Sequence, residues 1–470
     1  MPIFKKGDKS SVESYRPISL TSLFMKTFEY CIRDLLTIKC NDIIKDNQHG
    51  FRCGKSCLTQ LIPFVDKLAE ALNNQSRVDI IYFDFAKAFD TVNHDLILEK
   101  LKYKFGIDGL LLQFLKDYLQ GRQQQVVING SVSNSLPVLS GVPQGSILRS
   151  LLFILFIDDI SETVSEGTKL VLYADDTKIW REILCDDDQL ILQKDINNLY
   201  NWSIKNKMHF HPDKCKVVRL TNKCTDYNLP FYEFWYSING IILDYETSEK
   251  DLGVHIHCKL SWKIQCDSLI SKANSQLGFV RRSCYFIKET KQRRALYLSM
   301  VRSIFEHCCQ VWAPQEKTSL HAFDLLQKRA VKWMNKESHI SYSDQTFLQK
   351  QRDLDILPMK YKFIFSDIIL FYNIVNNNVQ IELPNYVERI QPQDVRSITR
   401  NNIAIAKGED HLQYKCKILP KINAFKNTFF VRTLKNWNDL PLSVREIDNF
   451  DKFSSALKDH LWRILGFEPD

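Results

Sequence analysis

Two apolar runs that end in aspartate constrain this chain more than any other feature. The first, Asp79-Ile80-Ile81-Tyr82-Phe83-Asp84-Phe85, has the β-branched and aromatic content of a buried strand. The second, Lys169-Leu170-Val171-Leu172-Tyr173-Ala174, turns at Asp175-Asp176 and returns through Thr177-Lys178-Ile179-Trp180. That pattern predicts a hairpin with two carboxylates at its tip. A carboxylate on a buried strand is costly unless it is paired or bound to a metal. Asp is also an ordinary turn residue, so the Asp175-Asp176 pair alone has a plain structural explanation. Together, Asp84, Asp175 and Asp176 at the ends of neighbouring strands would suit two Mg2+ ions about 3.5–4 Å apart, with Mn2+ as a substitute. Such ions activate an attacking hydroxyl and stabilise a leaving pyrophosphate, which is nucleotidyl transfer chemistry.

The segments around these carboxylates carry further signals. Phe89 lies five residues after Asp84, set either to pack in the core or to press its ring against a nucleotide sugar and exclude a 2′-hydroxyl. Gly141-Val142-Pro143-Gln144-Gly145-Ser146 is a turn-rich start to an apolar helix over Ile147–Ile157, with Ser146 as a capping candidate and Gln144 supplying an amide donor and acceptor. Helical periodicity runs through 61–73 and 95–120, with Asp90 read as the N-cap of the second stretch. A further β region, Gln125 to Gly130, turns at Asn129-Gly130. Gly54-Lys55-Ser56 is not a phosphate-binding P-loop, because His49 stands where that motif needs glycine. Strands and helices alternate irregularly to about residue 220 and helices follow, so an α+β class is expected rather than a doubly wound sheet.

Composition narrows the setting. The 470 residues leave room for roughly three domains. With 44% apolar and 25% charged residues, disorder is excluded as the main state. The longest apolar run, Leu151–Ile157, is far short of the ~18–20 residues that span a bilayer. Met1 to Lys6 has no signal-peptide apolar stretch, so an intracellular protein of the nucleus or cytoplasm, with no membrane partner, is expected. Thirteen scattered cysteines fit reduced thiols, and His49/Cys53/Cys57 and His307/Cys308/Cys309 read as structural rather than zinc-binding. The formal net charge is +8, and residues 270–335 alone carry twelve Lys/Arg against four Asp/Glu, so the remaining 404 residues sum to zero. A basic excess confined to one helical segment is either a solvated face or a polyanion-binding one.

The ordered set of motifs resembles the reverse transcriptases of non-LTR (LINE-type) retrotransposons, jockey-like elements in particular. Lys5-Lys6-Gly7-Asp8 with Tyr15-Arg16-Pro17-Ile18-Ser19-Leu20 looks like the first fingers motif of that family, and Gln48-His49-Gly50-Phe51-Arg52 like the second. Phe83 to Val92 looks like the first palm motif, Gly141 to Leu148 the glycine-proline-glutamine motif, and Tyr173-Ala174-Asp175-Asp176 the second carboxylate motif. Asn206 to Val218 resembles the lysine motif and Asp251-Leu252-Gly253-Val254 the primer-grip hairpin. Looser similarity continues through Tyr297 to Pro314 and reaches Val431-Arg432-Thr433 and Trp437-Asn438-Asp439-Leu440-Pro441.

The resemblance implies a right-hand polymerase fold: fingers over 1–74, an antiparallel β palm with the primer-grip hairpin over 75–262, a basic helical thumb over 263–336, and a C-terminal extension over 337–470. It implies that Asp84, Asp175 and Asp176 hold the metals, that Lys5, Arg16 and Arg52 contact the triphosphate of a dNTP, and that Lys214 protonates the pyrophosphate. Phe89 would be the sugar gate and Gln144 a template or nucleotide contact. An RNA template and a DNA primer or target would be held by Gly253 of the hairpin and by Arg281, Arg282, Arg293 and Arg294 of the thumb. Two departures stand out. Arg149-Ser150 replaces the Gly-Pro that usually follows Leu148, and the endonuclease and N-terminal extension of related elements are missing upstream, as in a 5′-truncated copy. A nucleic-acid-binding relic without turnover is therefore the alternative to an active polymerase.

Overall fold

The computed structural model describes residues 2–5, 7–128, 130–221, 234–337, 339–391 and 411–467. The chain forms two compact units, one of Met1–Ser56, Arg77–Arg219 and Cys224–Glu246, the other of Cys57–Ser76, Leu220–Lys223 and Thr247–Asp470. These units cut across the four segments expected from the motifs: the 57–73 helix and the 248–257 hairpin both pack with the C-terminal half.

The first unit is built on a five-stranded sheet of β1 (Arg77–Phe83), β2 (Lys169–Tyr173), β3 (Asp176–Ile183), β4 (Lys216–Leu220) and β5 (Asp244–Tyr245), in the order β5–β4–β1–β3–β2. β3 is antiparallel to both neighbours. Phe83 stands opposite Thr177 across β1–β3, and Tyr173 opposite Asp176 across β2–β3. Both expected β segments therefore lie in one sheet, with their carboxylate ends at the same end of the strands. From Leu151 to Ile157 the helix Leu148–Ile157 is apolar on all sides and buried, as its sequence demands, with Arg149 and Ser150 as its polar first turn. Ile32, Leu36 and Cys40 of helix Leu23–Cys40 and Leu192, Ile196 and Leu199 of helix Asp186–Lys205 belong to the same core. The 95–120 periodicity resolves into two helices, His94–Tyr103 and Gly109–Leu119. The expected 125–130 strand is a short exposed hairpin, Val127–Ile128 with Ser131–Val132, and Asn129 lies outside the described residues.

In the second unit, helix Cys57–Asn73 packs on Asn423–Lys426 and on Phe429–Asn438. The family-like stretch near the C-terminus acts here as a staple. Arg432 makes a two-pronged pair with buried Asp367 at 2.9 Å for both contacts, Trp437 Nε1 donates to Leu412 O, and Asn438 exchanges hydrogen bonds with the backbone of Tyr414. No helix among the described residues is long and apolar enough to cross a membrane.

Asp66, buried on the Cys57–Asn73 helix, accepts a hydrogen bond from Tyr386 Oη. Burial, reinforced by the Glu70 charge, pushes its carboxyl up to about 7, against the pull of Tyr386, Lys67 and Thr428. Between about pH 4 and 7 the unfolded chain gives up this proton while the folded chain keeps it. The Asp66 contribution to stability therefore falls as pH rises through that window and levels off above it. Asp66→Asn keeps the acceptor for Tyr386 and removes the titration. Its stability relative to wild type, from urea midpoints, is expected to climb from pH 4 to 7 by up to about 4 kcal/mol and then stay level.

Candidate active site

Asp84 directly follows β1, and its carbonyl accepts from His211 N at 2.8 Å. Asp175 sits in the turn between β2 and β3, and Asp176 opens β3 as an exposed residue. The antiparallel register brings the end of β1 beside that turn. Burial pushes the Asp175 carboxyl above the usual carboxylate range, and the nearby Asp84 charge adds to the push; its own backbone N–H, Arg149 and Lys5 oppose it. Lys214 Nζ lies 3.2 Å from Asp84 Oδ2, with the Asp84 side chain 46% exposed. An exposed pair like this adds little stability, but it puts a cation against the carboxylate.

The turn after Asp84 passes through left-handed Lys87 and a short 3-10 turn, Ala88–Asp90, before the next helix begins. This delay corrects the capping expected of Asp90: Asn93 is the N-cap, its Oδ1 accepting from Leu96 N at 3.1 Å, and Asp90 stays exposed. The glycine-proline-glutamine segment is tied to the same turn through Gly141 N→Val92 O at 2.8 Å and Val142 N→Phe89 O at 2.9 Å. A side chain at Gly141, where φ is +85°, would meet Asp90 O at 2.8 Å. Ser146 caps the helix as expected, Oγ accepting from Arg149 N at 3.1 Å. Gln144 O accepts from Ser19 N at 2.7 Å, which joins this segment to the first motif.

Phe89 stacks on Phe153 with ring centroids 4.2 Å apart, and the Arg149 guanidinium lies 4.1 Å from its ring centre. The departure at Arg149 thus stands at the site itself, where its charge acts on Asp90 and Asp175. Lys5 and Arg16 are exposed cations whose charges are felt by Asp175 and Arg149 respectively. Arg52 is differently engaged. Its side chain is only 10% exposed and donates to Lys45 O at 2.8 Å and Asn41 O at 3.4 Å, bracing the turn after helix Leu23–Cys40. Burial first, then Lys55, Lys178 and Arg52, pushes His49 down to about 4, so it is neutral at pH 7.

Two residues to which the sequence reading gave no role have a part in this architecture. Glu29, fully buried, accepts from Tyr118 Oη at 3.0 Å and from Ile147 N at 2.6 Å, at the start of the apolar helix. A signal was present: Glu29 falls in step with Ile32, Leu36 and Cys40 on the buried stripe of its helix. Gln48 Oε1 accepts from Gly50 N at 2.8 Å and from Ala174 N at 2.9 Å. Its long-range partner left no local pattern.

The remaining expected residues lie in the second unit. Gly253 is in the turn between β6 (Ser248–Asp251) and β7 (Val254–His257), held by Gln265 Nε2 to Gly253 O at 3.3 Å and by His307 against Leu252 O at 3.0 Å. Arg281 and Arg282 are exposed at the end of helix Lys263–Ser283. Arg293 and Arg294 are engaged within the protein to different degrees, Arg294 keeping a third of its side chain exposed. Arg293 is buried, donating to Ile287 O at 2.7 Å and Trp333 O at 2.6 Å, and Arg294 donates to Leu354 O and pairs with Asp355. Helical periodicity does not reveal which arginines satisfy carbonyls at neighbouring helix ends.

Among the described residues no group of three or more His, Cys, Asp or Glu side chains is gathered to hold a metal ion. A cation nevertheless fits the Asp84–Asp175 pair: both are hard oxygen donors, they repel each other, and the Lys214 ammonium already stands against one of them. Asp84 and Asp175 thus stand together at one end of the β1–β3 pair, with the Lys214 ammonium against the first and the charges of Arg149 and Lys5 felt by the second. The chain belongs to the reverse transcriptase (RNA-dependent DNA polymerase) family, which matches residues 3–256. It is 27% identical over 346 residues to a probable RNA-directed DNA polymerase from transposon BS of Drosophila melanogaster, covering 70% of this chain and 37% of that protein. It is also 26% identical to the RNA-directed DNA polymerase from mobile element jockey of Drosophila melanogaster, and 28% identical to its counterpart in Drosophila funebris, each over 36% of the relative and 69% and 70% of this chain. The non-LTR, jockey-like resemblance is thereby borne out, and the chain spans a little over one third of the length of these relatives.

Proposed function

We propose that this chain is the RNA-directed DNA polymerase of a non-LTR retrotransposon, adding dNTPs to a primer 3′-hydroxyl along an RNA template. The observation that carries this function is the Asp84–Asp175 pair facing across adjacent strand ends. Divalent ions bound there, two Mg2+ in the usual arrangement, would activate the 3′-hydroxyl and stabilise the departing pyrophosphate. Asp84 and Asp175 supply the hard oxygen ligands, with Asp176 beside them. Lys5 and Arg16 neutralise the triphosphate, Lys214 is within reach of the pyrophosphate side, and Phe89 excludes a ribose 2′-hydroxyl. Gln144 contacts the nucleotide or template. The sheet is the palm, the segments before it the fingers, and the basic helices after residue 263 the thumb, with Gly253 at the primer. Primer extension on an RNA template with Mg2+ tests this: the wild type extends, and extension that persists in the Asp175→Asn, Asp176→Asn double variant refutes it.

Exposed Arg281 and Arg282 form the part of the basic segment available to a phosphate backbone. Changing both to Gln is expected to lower affinity for an RNA–DNA duplex and to reduce its salt slope by about 2, near 0.9 per phosphate contact, with no shift in unfolding midpoint. Arg293→Gln is expected to do the reverse, lowering the midpoint because two carbonyls lose their donor. Duplex binding against salt, beside urea melts, separates the two.

One observation favours a nucleic-acid binder without turnover: the Arg149 guanidinium over the Phe89 ring, where a nucleotide sugar would lie. If it obstructs the site, Arg149→Gly raises incorporation. If it neutralises phosphate, the same change lowers it.

A further inference from the structure

We propose that Gln48 is a positioning residue for the carboxylate turn: its side-chain carbonyl clamps Ala174 and so sets where Asp175 stands. The inference rests on the polymerase function above and extends it to a residue outside the metal and nucleotide sets. Residues 47–49 run alongside β2 as a short parallel partner, with Leu172 N donating to Asn47 O at 2.9 Å and His49 N to Leu172 O at 2.8 Å. Asn47 Nδ2 adds a bond to Leu170 O at 3.1 Å. This pairing delivers the Gln48 side chain, 1% exposed, to the tip of the β2–β3 hairpin. There one oxygen accepts two backbone donors, Gly50 N on its own segment and Ala174 N on the turn.

Ala174 immediately precedes Asp175 and has φ +55°, the left-handed region that a residue with a Cβ rarely adopts. A non-glycine residue stays there only when its surroundings over-determine it. The Gln48 acceptor supplies that constraint, and Gly50 allows the two backbones to approach closely enough for it to reach. Gln48 Nε2 has no hydrogen-bond partner among the described residues, so the oxygen is the half of the amide that the turn uses.

The test uses the full chain and three variants. Gln48→Met keeps length and removes the acceptor, Gln48→Glu keeps an acceptor oxygen at the same reach and replaces the amide nitrogen by a second carboxyl oxygen, and Gln48→Asn withdraws the acceptor by one methylene. Single-nucleotide incorporation on an RNA template gives kcat and KM, and Mn2+ binding to the protein alone, by electron paramagnetic resonance, gives a second readout. Gln48→Met is expected to lower kcat about 10²-fold with KM for dNTP little changed, because misplacing one carboxylate impairs the reacting geometry rather than binding. Its Mn2+ affinity is expected to fall about tenfold, as for loss of a group that orients a metal ligand. Gln48→Glu is expected to recover most of both. Wild-type kcat and Mn2+ affinity in Gln48→Met, or no recovery in Gln48→Glu, would overturn the proposal. If Gln48→Met does not fold, Gln48→Asn carries the same expectations and the same refutation. A wild type that incorporates nothing defeats the polymerase function, while the Mn2+ comparison still decides the role of Gln48.

Discussion

A Gly50→Ala chain is expected to lose about 3 kcal/mol of stability, the upper end of what overpacking costs. A Cβ at position 50 would lie 2.4 Å from Ala174 N, 3.0 Å from Tyr173 C and 3.1 Å from Ala174 Cα. All three are backbone atoms, so no side chain can swing aside. Relief requires moving residues 47–50 away from β2, or displacing the turn that carries Asp175. The first breaks the hydrogen bonds of Asn47 and His49 to Leu172; the second moves a carboxylate. Incorporation by the folded fraction is therefore expected to fall about 10²-fold as well. Gly278→Ala is the control. That glycine lies inside a helix, its nearest neighbour is the flexible Arg282 Nη1 at 3.3 Å, and its midpoint should hold or rise. Equal urea midpoints for wild type and Gly50→Ala would show that the close approach is not maintained in solution.

Asp79→Ala is expected to cost about 3–5 kcal/mol, the penalty for removing one partner from a buried charge cluster. Asp79, on β1, is completely buried and holds Arg77 at 2.6 Å, Arg219 Nε at 3.0 Å and Tyr236 Oη at 2.9 Å. Burial alone would raise its carboxyl, but the hydrogen bond from Arg77 and the charges of Arg219 and Arg77 prevail and hold it below the usual range. The folded chain therefore binds this proton less readily than the unfolded one. Its stabilisation is present above the ordinary carboxylate range and is lost as pH falls through the depressed value. Removing the carboxylate leaves two guanidinium groups facing each other without a counter-charge, and β1 and β4 lose their polar link. Equilibrium unfolding checks this: an Asp79→Ala midpoint equal to wild type would contradict it, and an acid-induced loss that is smaller in the variant supports it.

The parts of the fold that were legible in the sequence are those where one residue pattern dictates one outcome. β1, the β2–β3 hairpin and the helix at 148–157, apolar from Leu151 on, follow from alternation, turn chemistry and a continuous apolar run, and the carboxylates of the strands fall at one end of the sheet because antiparallel pairing requires it. What could not be read depends on partners distant in sequence. Asp79 opened an apolar run and gave no sign of the arginine from β4 that pairs with it. Arg52 had the charge for a triphosphate, and Arg293 and Arg294 for nucleic acid, but all three donate to carbonyls whose positions exist only after folding. The 57–73 helix was placed by order along the chain, whereas its apolar faces pack on residues beyond 420. Asp90 lost its capping role to Asn93 because a left-handed Lys87 lengthened the turn.

The central claim, that Asp84 and Asp175 form the metal-dependent centre of a reverse transcriptase, is tested most directly by labelled dNTP incorporation onto a DNA primer annealed to RNA. Wild type and Asp84→Asn are compared across a Mg2+ titration. The expected result is incorporation that rises with Mg2+ in the wild type and is at least about 10³-fold lower in Asp84→Asn at every concentration. Equal incorporation by the two chains, or incorporation that persists without any divalent ion, would contradict it.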